Sequence, residues 1–202
     1  MKKIILISAI TLALAGCATT NKTVEETQNV RIVTCNFPDS PAATAPAWIC
    51  DVLPSDLAAG GVGYSKKSAA GMSIMRKIAI NNARVQLASQ FEVDVNSMFK
   101  QAVESSVTSS TLAGSNEDVL ETMENVTKSV VSRTLANSKL IVSQATPTGG
   151  LYVLVGMDQA TYDANLNKVI DGVTQDSKLW GQFNNEKAAT DLSNALQSLK
   201  AM

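Results

Sequence analysis

Residues 139–157 read KLIVSQATPTGGLYVLVGM, and this stretch does the most to decide the fold. Two runs of β-prone residues, 139–145 and 151–157, are separated by a turn that contains proline and two glycines. That pattern is typical of a β-hairpin in which glycine supplies a positive φ. The second run is apolar along most of its length, as a strand in the interior of a sheet would be. The sequence therefore predicts a hairpin with residues 151–157 as a central strand.

A strand and a helix are predicted on the N-terminal side of this hairpin. Residues 57–64 (LAAGGVGY) are small and apolar, and glycines within a strand allow a helix to approach closely. Residues 68–90 form the clearest helix, because apolar side chains recur there at spacings of three and four. Its predicted apolar face is wide and consists of Met72, Met75, Ala79, Ala83 and Leu87, flanked by Ile74, Ile78, Val85 and Ala88. We expect this face to pack on the sheet.

The segment between this helix and the hairpin is predicted to hold a strand and a second helix. Residues 91–95 (FEVDV) alternate between apolar and acidic side chains, and we interpret residues 91–111 as a long, bent strand, although residues 98–104 also fit a helix. The next helix begins at Asn116 and has two acidic residues in its first turn, where they complement the helix dipole. Its predicted inner face comprises Val119, Met123, Val126, Val130 and Leu135. The predicted fold class is α+β, with a small mixed or antiparallel sheet packed by two main helices.

A C-terminal helical extension is predicted after the hairpin, over residues 159–202. It contains a helical segment around residues 160–169 and a terminal amphipathic helix over about residues 175–199. The candidate contact residues of the terminal helix are Leu179, Trp180, Phe183, Ala188, Leu192, Ala195 and Leu199. These side chains would pack either against their own domain or against another copy or partner protein, and the pattern alone does not decide between the two.

The first residues of the chain predict export and a lipid anchor. Lys2 and Lys3 precede an apolar run over residues 4–13, which is typical of a secretory signal and too short for a membrane-spanning helix. The run leads into Leu14-Ala15-Gly16-Cys17, which resembles the bacterial lipobox, in which the cysteine receives a lipid before the signal is removed. We therefore expect residues 1–16 to be a signal peptide and Cys17 to be the lipid attachment site.

The residues that follow Cys17 predict a tether and a location. Residues 17–30 are polar and rich in threonine after the cysteine, so we interpret them as a lipidated terminus with a flexible tether. By the same resemblance to bacterial lipoproteins, Ala18 in place of an aspartate indicates the outer membrane. We expect a lipid-anchored protein that faces the periplasm.

Two cysteines bracket a proline-containing stretch at the start of the domain that we place at residues 31–158. In an oxidising compartment Cys35 and Cys50 are expected to form a disulfide. A zinc site would need histidines or further cysteines, and a redox pair would need the C-x-x-C spacing. Closing a loop of this length stabilises a fold by roughly 3 kcal/mol. The disulfide would therefore fasten this stretch to the domain.

The composition excludes several classes of chemistry. The chain has 0 His in 202 residues, so neither a histidine-containing catalytic triad nor a histidine metal site can form. Its 17 Lys and Arg residues against 18 Asp and Glu residues give no excess of positive charge for nucleic acid. The remaining candidates for acid–base catalysis are Glu92 with Asp94, and Glu121 with Glu124, and neither pair has a third group that would tune its pKa. We expect no enzymatic activity, no metal and no cofactor.

Three segments resemble the LPP-twenty type of bacterial outer-membrane lipoproteins. They are Trp48-Ile49 ahead of Gly61-Val62-Gly63-Tyr64, the pattern Ala79-x-x-x-Ala83-Arg84-x-x-Leu87-Ala88, and Leu151-Tyr152-Val153-Leu154-Val155. The resemblance covers roughly residues 46–158. It implies an outer-membrane lipoprotein, and relatives of this type include flagellar lipoproteins that build rings or discs around the motor.

Two functions from different classes follow as hypotheses. The first is a structural or assembly lipoprotein of the cell envelope that forms a homo-oligomer or binds an envelope protein, with attachment to the flagellar motor as one form of that role. The alternative is a periplasmic module that binds a lipid, a peptidoglycan fragment or another small molecule between its sheet and helices.

Overall fold

A computed structural model describes residues 35–107, 112–134 and 137–200, which belong to one compact unit. The predicted α+β class is confirmed. In chain order the elements are β1 (Asn36–Phe37), β2 (Ser40–Thr44), a short 3-10 helix (Ala47–Cys50), β3 (Ala59–Ser65), α1 (Met72–Ser106), α2 (Asn116–Thr134), β4 (Lys139–Ala145), β5 (Leu151–Met157), α3 (Gln159–Thr174), α4 (Ser177–Trp180) and α5 (Glu186–Leu199).

The main sheet is antiparallel and has three strands in the order β3-β5-β4. The predicted hairpin is confirmed, because β4 and β5 pair directly and Gly149 in their turn has a φ of 86°. β5 is the central strand, as its apolar sequence predicts, and every residue in it is buried. β3 and β4 are the two edges of this sheet.

Helix α1 packs on β3 through the two glycines that the sequence singles out. A Cβ atom on Gly63 would lie 2.0 Å from the carbonyl oxygen of Ala79 and 2.4 Å from the amide nitrogen of Ala83. A Cβ atom on Gly61 would lie 2.3 Å from the carbonyl oxygen of Ala83. These distances leave no room for any side chain, so the glycines set how closely the helix lies on the strand.

α1 is longer than the sequence predicts and replaces the expected strand. It continues without a break from Met72 to Ser106, so the prediction of a strand from residue 91 is wrong for residues 91–106. Residues 108–111 of that predicted strand lie outside the described part of the chain. The alternation in FEVDV is a local coincidence, because Phe91 and Val95 continue a helical series of buried residues.

Buried side chains follow one another at every fourth position along α1. They are Met75, Ala79, Ala83, Leu87, Phe91, Val95, Phe99 and Val103. An α-helix has 3.6 residues per turn, so each step of four advances the position by about 40° around the axis. Ala79 and Val95 therefore differ by about 160°, and the two halves of the helix bury nearly opposite faces. The first half packs on the sheet, whereas the second half packs on the other helices.

The helices after α1 surround its second half. The predicted start of α2 at Asn116 is confirmed, with Val119 and Met123 buried and Val126 and Val130 partly buried in the core. Leu135 lies outside the described residues. Phe91 of α1 contacts Tyr162 of α3 edge to face, with ring centroids 5.1 Å apart.

The prediction of one continuous terminal helix over residues 175–199 is wrong. The segment forms α4 and α5 with an irregular connection between them, because two side chains cap new helix starts. Asp176 accepts hydrogen bonds from the amides of Lys178 and Leu179, and Asn185 accepts one from the amide of Lys187. The predicted contact residues pack against their own domain, with Leu179, Ala188 and Leu192 fully or nearly buried.

The second face of the sheet is covered by the segment between the two cysteines and its neighbours. β1 and β2 form a small antiparallel hairpin, and Phe37, Ala45 and Ile49 pack with Tyr152 of β5 in a second apolar cluster. In this proline-containing stretch, Pro41 lies within β2, which is an edge strand as proline requires. Within the described ranges, no helix has the length and apolar character needed to cross a membrane.

Candidate functional site

The predictions for the three cysteines have different outcomes. Cys35 and Cys50 form a disulfide, with sulfur atoms 2.12 Å apart and Cα atoms 5.9 Å apart, in agreement with the sequence prediction. The bond closes the segment that covers the outer face of β5. Cys17, the predicted lipid attachment site, lies outside the described residues, as do the predicted signal peptide and tether.

A single carboxylate fastens this covering segment to the β4–β5 turn. Asp39 Oδ2 accepts hydrogen bonds from the hydroxyls of Tyr64, Thr146 and Thr148, at 3.1, 2.8 and 2.5 Å. Burial pulls the pKa of Asp39 upward, but the hydrogen bonds from Thr148, Thr146 and Tyr64 together outweigh it and hold the pKa below its ordinary value. The two threonine contacts join residues more than 100 positions apart in the sequence, so the arrangement serves packing of the fold.

Neither pair of carboxylates weighed for catalysis forms an isolated acid–base site, and one member of each pair contacts the same lysine. Glu92 and Asp94 lie on helix α1 and not on a strand, and a separation of two residues in a helix points them to different sides. Glu92 lies 4.0 Å from Lys128, which also pairs with Glu124 at 2.5 Å. Glu121 is exposed on α2.

Asp94 has a pKa that its surroundings raise. Burial raises the pKa of this half-buried group above its ordinary value. Within the ranges that the structure describes, no group of three or more His, Cys, Asp or Glu side chains is placed to hold a metal ion. The expectation that the protein has no metal or cofactor and is not an enzyme stays a prediction.

A cavity lies between α1, α3 and α5. Its volume is about 420 Å³, and apolar side chains of Met98, Leu166 and Leu199 line it together with Tyr162. Gln159, Asp163, Asn167 and Lys200 contribute polar groups to its wall. The cavity wall thus combines apolar side chains with a few polar groups, which is the usual composition of a small-molecule site.

Strand β4 is a free edge of the sheet with exposed apolar side chains. Its exposed pattern contrasts with the fully buried β5 to which it pairs. Leu140 and Ile141 are exposed to 44% and 40%, and the register shifts between Leu140 and Val142. α1 covers β3 and β5, and β4 has no comparable helix packed on it among the described residues. A strand of this kind offers both backbone groups and apolar surface to a partner.

The first half of α1 also carries an exposed apolar face. Ile74, Ile78 and Val85 are exposed to 41%, 44% and 63%, and they lie on the side of the helix that faces away from the sheet. The expectation that these residues belong to a face packed on the sheet is wrong, and it is also wrong for Met72, which is exposed to 47%. A sheet contacts a helix along one narrow strip, so the flanking apolar residues are left outside.

Comparison with known proteins does not identify a relative. No model of a protein family matches the chain, and no curated protein is similar to it at a significant level. The resemblance to LPP-twenty lipoproteins therefore stays a prediction.

Three functional candidates were not predicted from the sequence: the exposed β4 edge, the outer face of α1 and the α1–α3–α5 cavity. The first two leave a signal in the sequence. β4 contains one charged residue, Lys139. On α1, a spacing of four, three and four residues marks a second helix face, which consists of Ile74, Ile78, Asn81 and Val85. The cavity depends on how three helices meet, which no local pattern reveals.

Proposed function

We propose that the protein is an outer-membrane lipoprotein with a structural or assembly role in the cell envelope. The observation that carries the assembly role is the β4 edge, where Leu140 and Ile141 are exposed on a strand that pairs with β5 on one side and with no other strand among the described residues. Pairing of this edge with another strand would satisfy its free backbone groups and bury both side chains. The partner would be a second copy or another envelope protein, including a component of the flagellar motor.

The anchor in this proposal is a lipid on Cys17. A single acyl chain holds a protein only marginally at a membrane, whereas a lipidated cysteine with several chains holds it stably. The sequence Leu14-Ala15-Gly16-Cys17 supports the anchor, and Ala18 supports the outer membrane.

Oligomer size tests the assembly role. The lipidated protein is extracted from outer membranes in mild detergent, its native mass is measured, and co-eluting proteins are identified. We expect an oligomer or a complex, and the double variant Leu140→Lys/Ile141→Lys is expected to release a monomer because charge on the edge opposes strand pairing. Val52→Lys/Val93→Lys is the matched control, since these valines are exposed to 60% and 64% on other parts of the surface. A monomeric wild-type protein that co-elutes with nothing would overturn the assembly role.

Two variants next to the predicted cleavage site test the anchor. Cys17→Ser is expected to abolish incorporation of labelled fatty acid and to remove the protein from washed outer membranes. Ala18→Asp is expected to keep the lipid but move the protein to the inner membrane. Retention of Cys17→Ser in the outer membrane at high salt would contradict the lipid anchor, because high salt releases proteins that are held at a membrane by surface charge.

The cavity of about 420 Å³ supports a second candidate, a module that binds a lipid, a peptidoglycan fragment or another small molecule. Native mass spectrometry of protein purified from its membrane would show a bound molecule. Asn167→Trp would place a large side chain in the wall of the cavity and is expected to abolish that adduct. Absence of any adduct from protein purified under gentle conditions would count against this function.

A further inference from the structure

The outer face of α1 lies within a segment of unusual charge. Residues 57–91 contain no Asp or Glu, but they contain the basic residues Lys66, Lys67, Arg76, Lys77 and Arg84. Residues 92–200 have the opposite balance, with 13 acidic and 8 basic residues. The positive charge of this segment is therefore concentrated on the loop that follows β3, with Lys66 and Lys67, and on the first half of α1.

These cations are available to an external partner. All five basic residues of this segment are exposed, and none of them forms an ion pair with another described residue. The ion pairs of the described residues instead use lysines from the second half of α1 onwards, for example Lys100 with Glu104 and Lys187 with Asp191. An unpaired cation that stays hydrated gains more from an anionic partner than one already paired with a carboxylate.

Apolar and basic side chains are adjacent on this part of α1. Ile74, Ile78 and Val85 occupy the side opposite the sheet, and Lys77 and Arg84 lie next to them around the helix axis. A helix face with exposed apolar residues flanked by cations is typical of helices that lie in the interface of an anionic membrane. If two copies packed antiparallel through this face, the cations of both helices would lie close together along at least one flank of the interface. Their mutual repulsion disfavours such a dimer.

We propose that the outer face of α1, defined by Ile74, Ile78, Val85, Lys77 and Arg84, docks on the anionic phospholipid surface of the membrane that anchors the protein. This inference rests on the proposed lipid anchor for its geometry. Residues 18–34 separate Cys17 from Cys35, and these 17 residues reach at most about 60 Å when extended. A tether of this length keeps the domain at high local concentration near the bilayer, so a weak surface affinity is enough to orient it.

Vesicle flotation tests the docking without the anchor. The protein used is residues 18–202, which contain the whole compact unit with its own hydrophobic core. We expect it to bind vesicles of phosphatidylglycerol and phosphatidylethanolamine, to bind pure phosphatidylcholine weakly, and to be released by high salt because counterions screen surface charges. Lys77→Glu/Arg84→Glu is expected to lower the partition coefficient by roughly 30-fold or more, since each cation near the surface contributes a factor of about five.

Matched variants separate docking from general charge and folding effects. Lys168→Glu/Lys178→Glu changes the net charge of the protein by the same amount as Lys77→Glu/Arg84→Glu, but on α3 and α4. It is expected to leave vesicle binding unchanged. Ile78→Ser/Val85→Ser is expected to weaken binding, whereas Val52→Ser/Val93→Ser removes two exposed valines from other positions and is not. Circular dichroism and thermal unfolding measure whether each variant is folded. If Lys77→Glu/Arg84→Glu does not fold, Ile78→Ser/Val85→Ser provides the test.

Three results would overturn the proposal. They are equal binding to neutral and anionic vesicles, binding that survives in folded Lys77→Glu/Arg84→Glu, and a solution dimer that Ile78→Ser dissociates while no vesicle binding is detected. The last result would assign the face to a second copy. Because the tested chain lacks Cys17 and leaves β4 intact, failure here does not affect the anchor or the assembly role, which are tested on the lipidated protein.

Discussion

The two halves of α1 belong to one helix but meet different surroundings. In the first half two of the four buried residues are small, Ala79 and Ala83, and they lie against glycines of β3. In the second half they are large, such as Phe91 and Phe99, and they fill the space between helices. The first half keeps an apolar outer face and the second half does not show one of the same extent. A single helix thus serves both as the cover of a sheet and as the centre of a helical bundle.

The largest expected effect is on the contact between the first half of α1 and β3. Gly63→Ala should destabilise the protein by about 3 kcal/mol or more, because the new Cβ atom would overlap backbone atoms that cannot move independently. Urea unfolding followed by circular dichroism measures the change. Gly181→Ala is the control, since its nearest contact is 3.4 Å away and its φ is −65°. A Gly63→Ala protein of wild-type stability would contradict the close packing.

The disulfide in the segment that covers the opposite face of the sheet is expected to contribute nearly as much to the free energy of unfolding. Cys35→Ser/Cys50→Ser should lower the free energy of unfolding by about 3 kcal/mol, because the disulfide closes a loop of 15 residues in the unfolded chain. A reducing agent should lower the stability of the wild-type protein by a similar amount and leave that of the double variant unchanged. Equal stability of oxidised and reduced wild type would show that the bond adds nothing to the cover.

Two valines compare the halves of α1 directly. Val95 has 0% of its surface exposed and Val85 has 63% exposed, although both lie on the same helix. Val95→Ala should cost about 2 kcal/mol for the lost burial and the cavity, whereas Val85→Ala should lie within about 0.5 kcal/mol of wild type. Thermal unfolding of both variants measures the difference. Equal costs would mean that the outer face of α1 is buried in solution.

The smallest expected effect concerns Asp94 in the second half of α1. Burial raises the pKa of Asp94 in the folded state above the ordinary value of 3.8, because it disfavours the ionised carboxylate. The stability of the fold therefore falls as the pH rises from this ordinary value through the folded-state pKa. Asp94→Asn should therefore be more stable than wild type at neutral pH, by under about 0.5 kcal/mol, and this gain should vanish below the ordinary pKa. Urea unfolding at several pH values measures it, and a gain independent of pH would assign the effect to packing.

The sequence predicts most elements that depend on local patterns. The β4–β5 hairpin follows from two apolar runs and a glycine turn, and the close helix contact at Gly61 and Gly63 follows from the absence of side chains. The disulfide follows from two cysteines in an oxidising compartment. In each case the deciding residues are neighbours in sequence or of an unusual type.

The failures of sequence reasoning have a common physical cause. The FEVDV alternation fits a strand over five residues, but the series of buried residues at every fourth position extends from Met75 to Val103 and decides the structure. Ile74, Ile78 and Val85 have helical spacing, but only tertiary packing determines which apolar side of a helix meets the sheet. The α1–α3–α5 cavity also depends on tertiary packing, and it joins residues as distant as Met98 and Leu199.

The spacing of buried residues along α1 constrains how this gene can change in length. Deleting or inserting one residue between Leu87 and Phe91 would rotate everything beyond it by about 100° relative to the sheet. Such a change would turn Phe91, Val95 and Phe99 out of the bundle while the first half stayed in place. Only changes of about a whole turn preserve both contacts, so homologous chains should differ in length in their loops and hold a fixed count of residues through this helix.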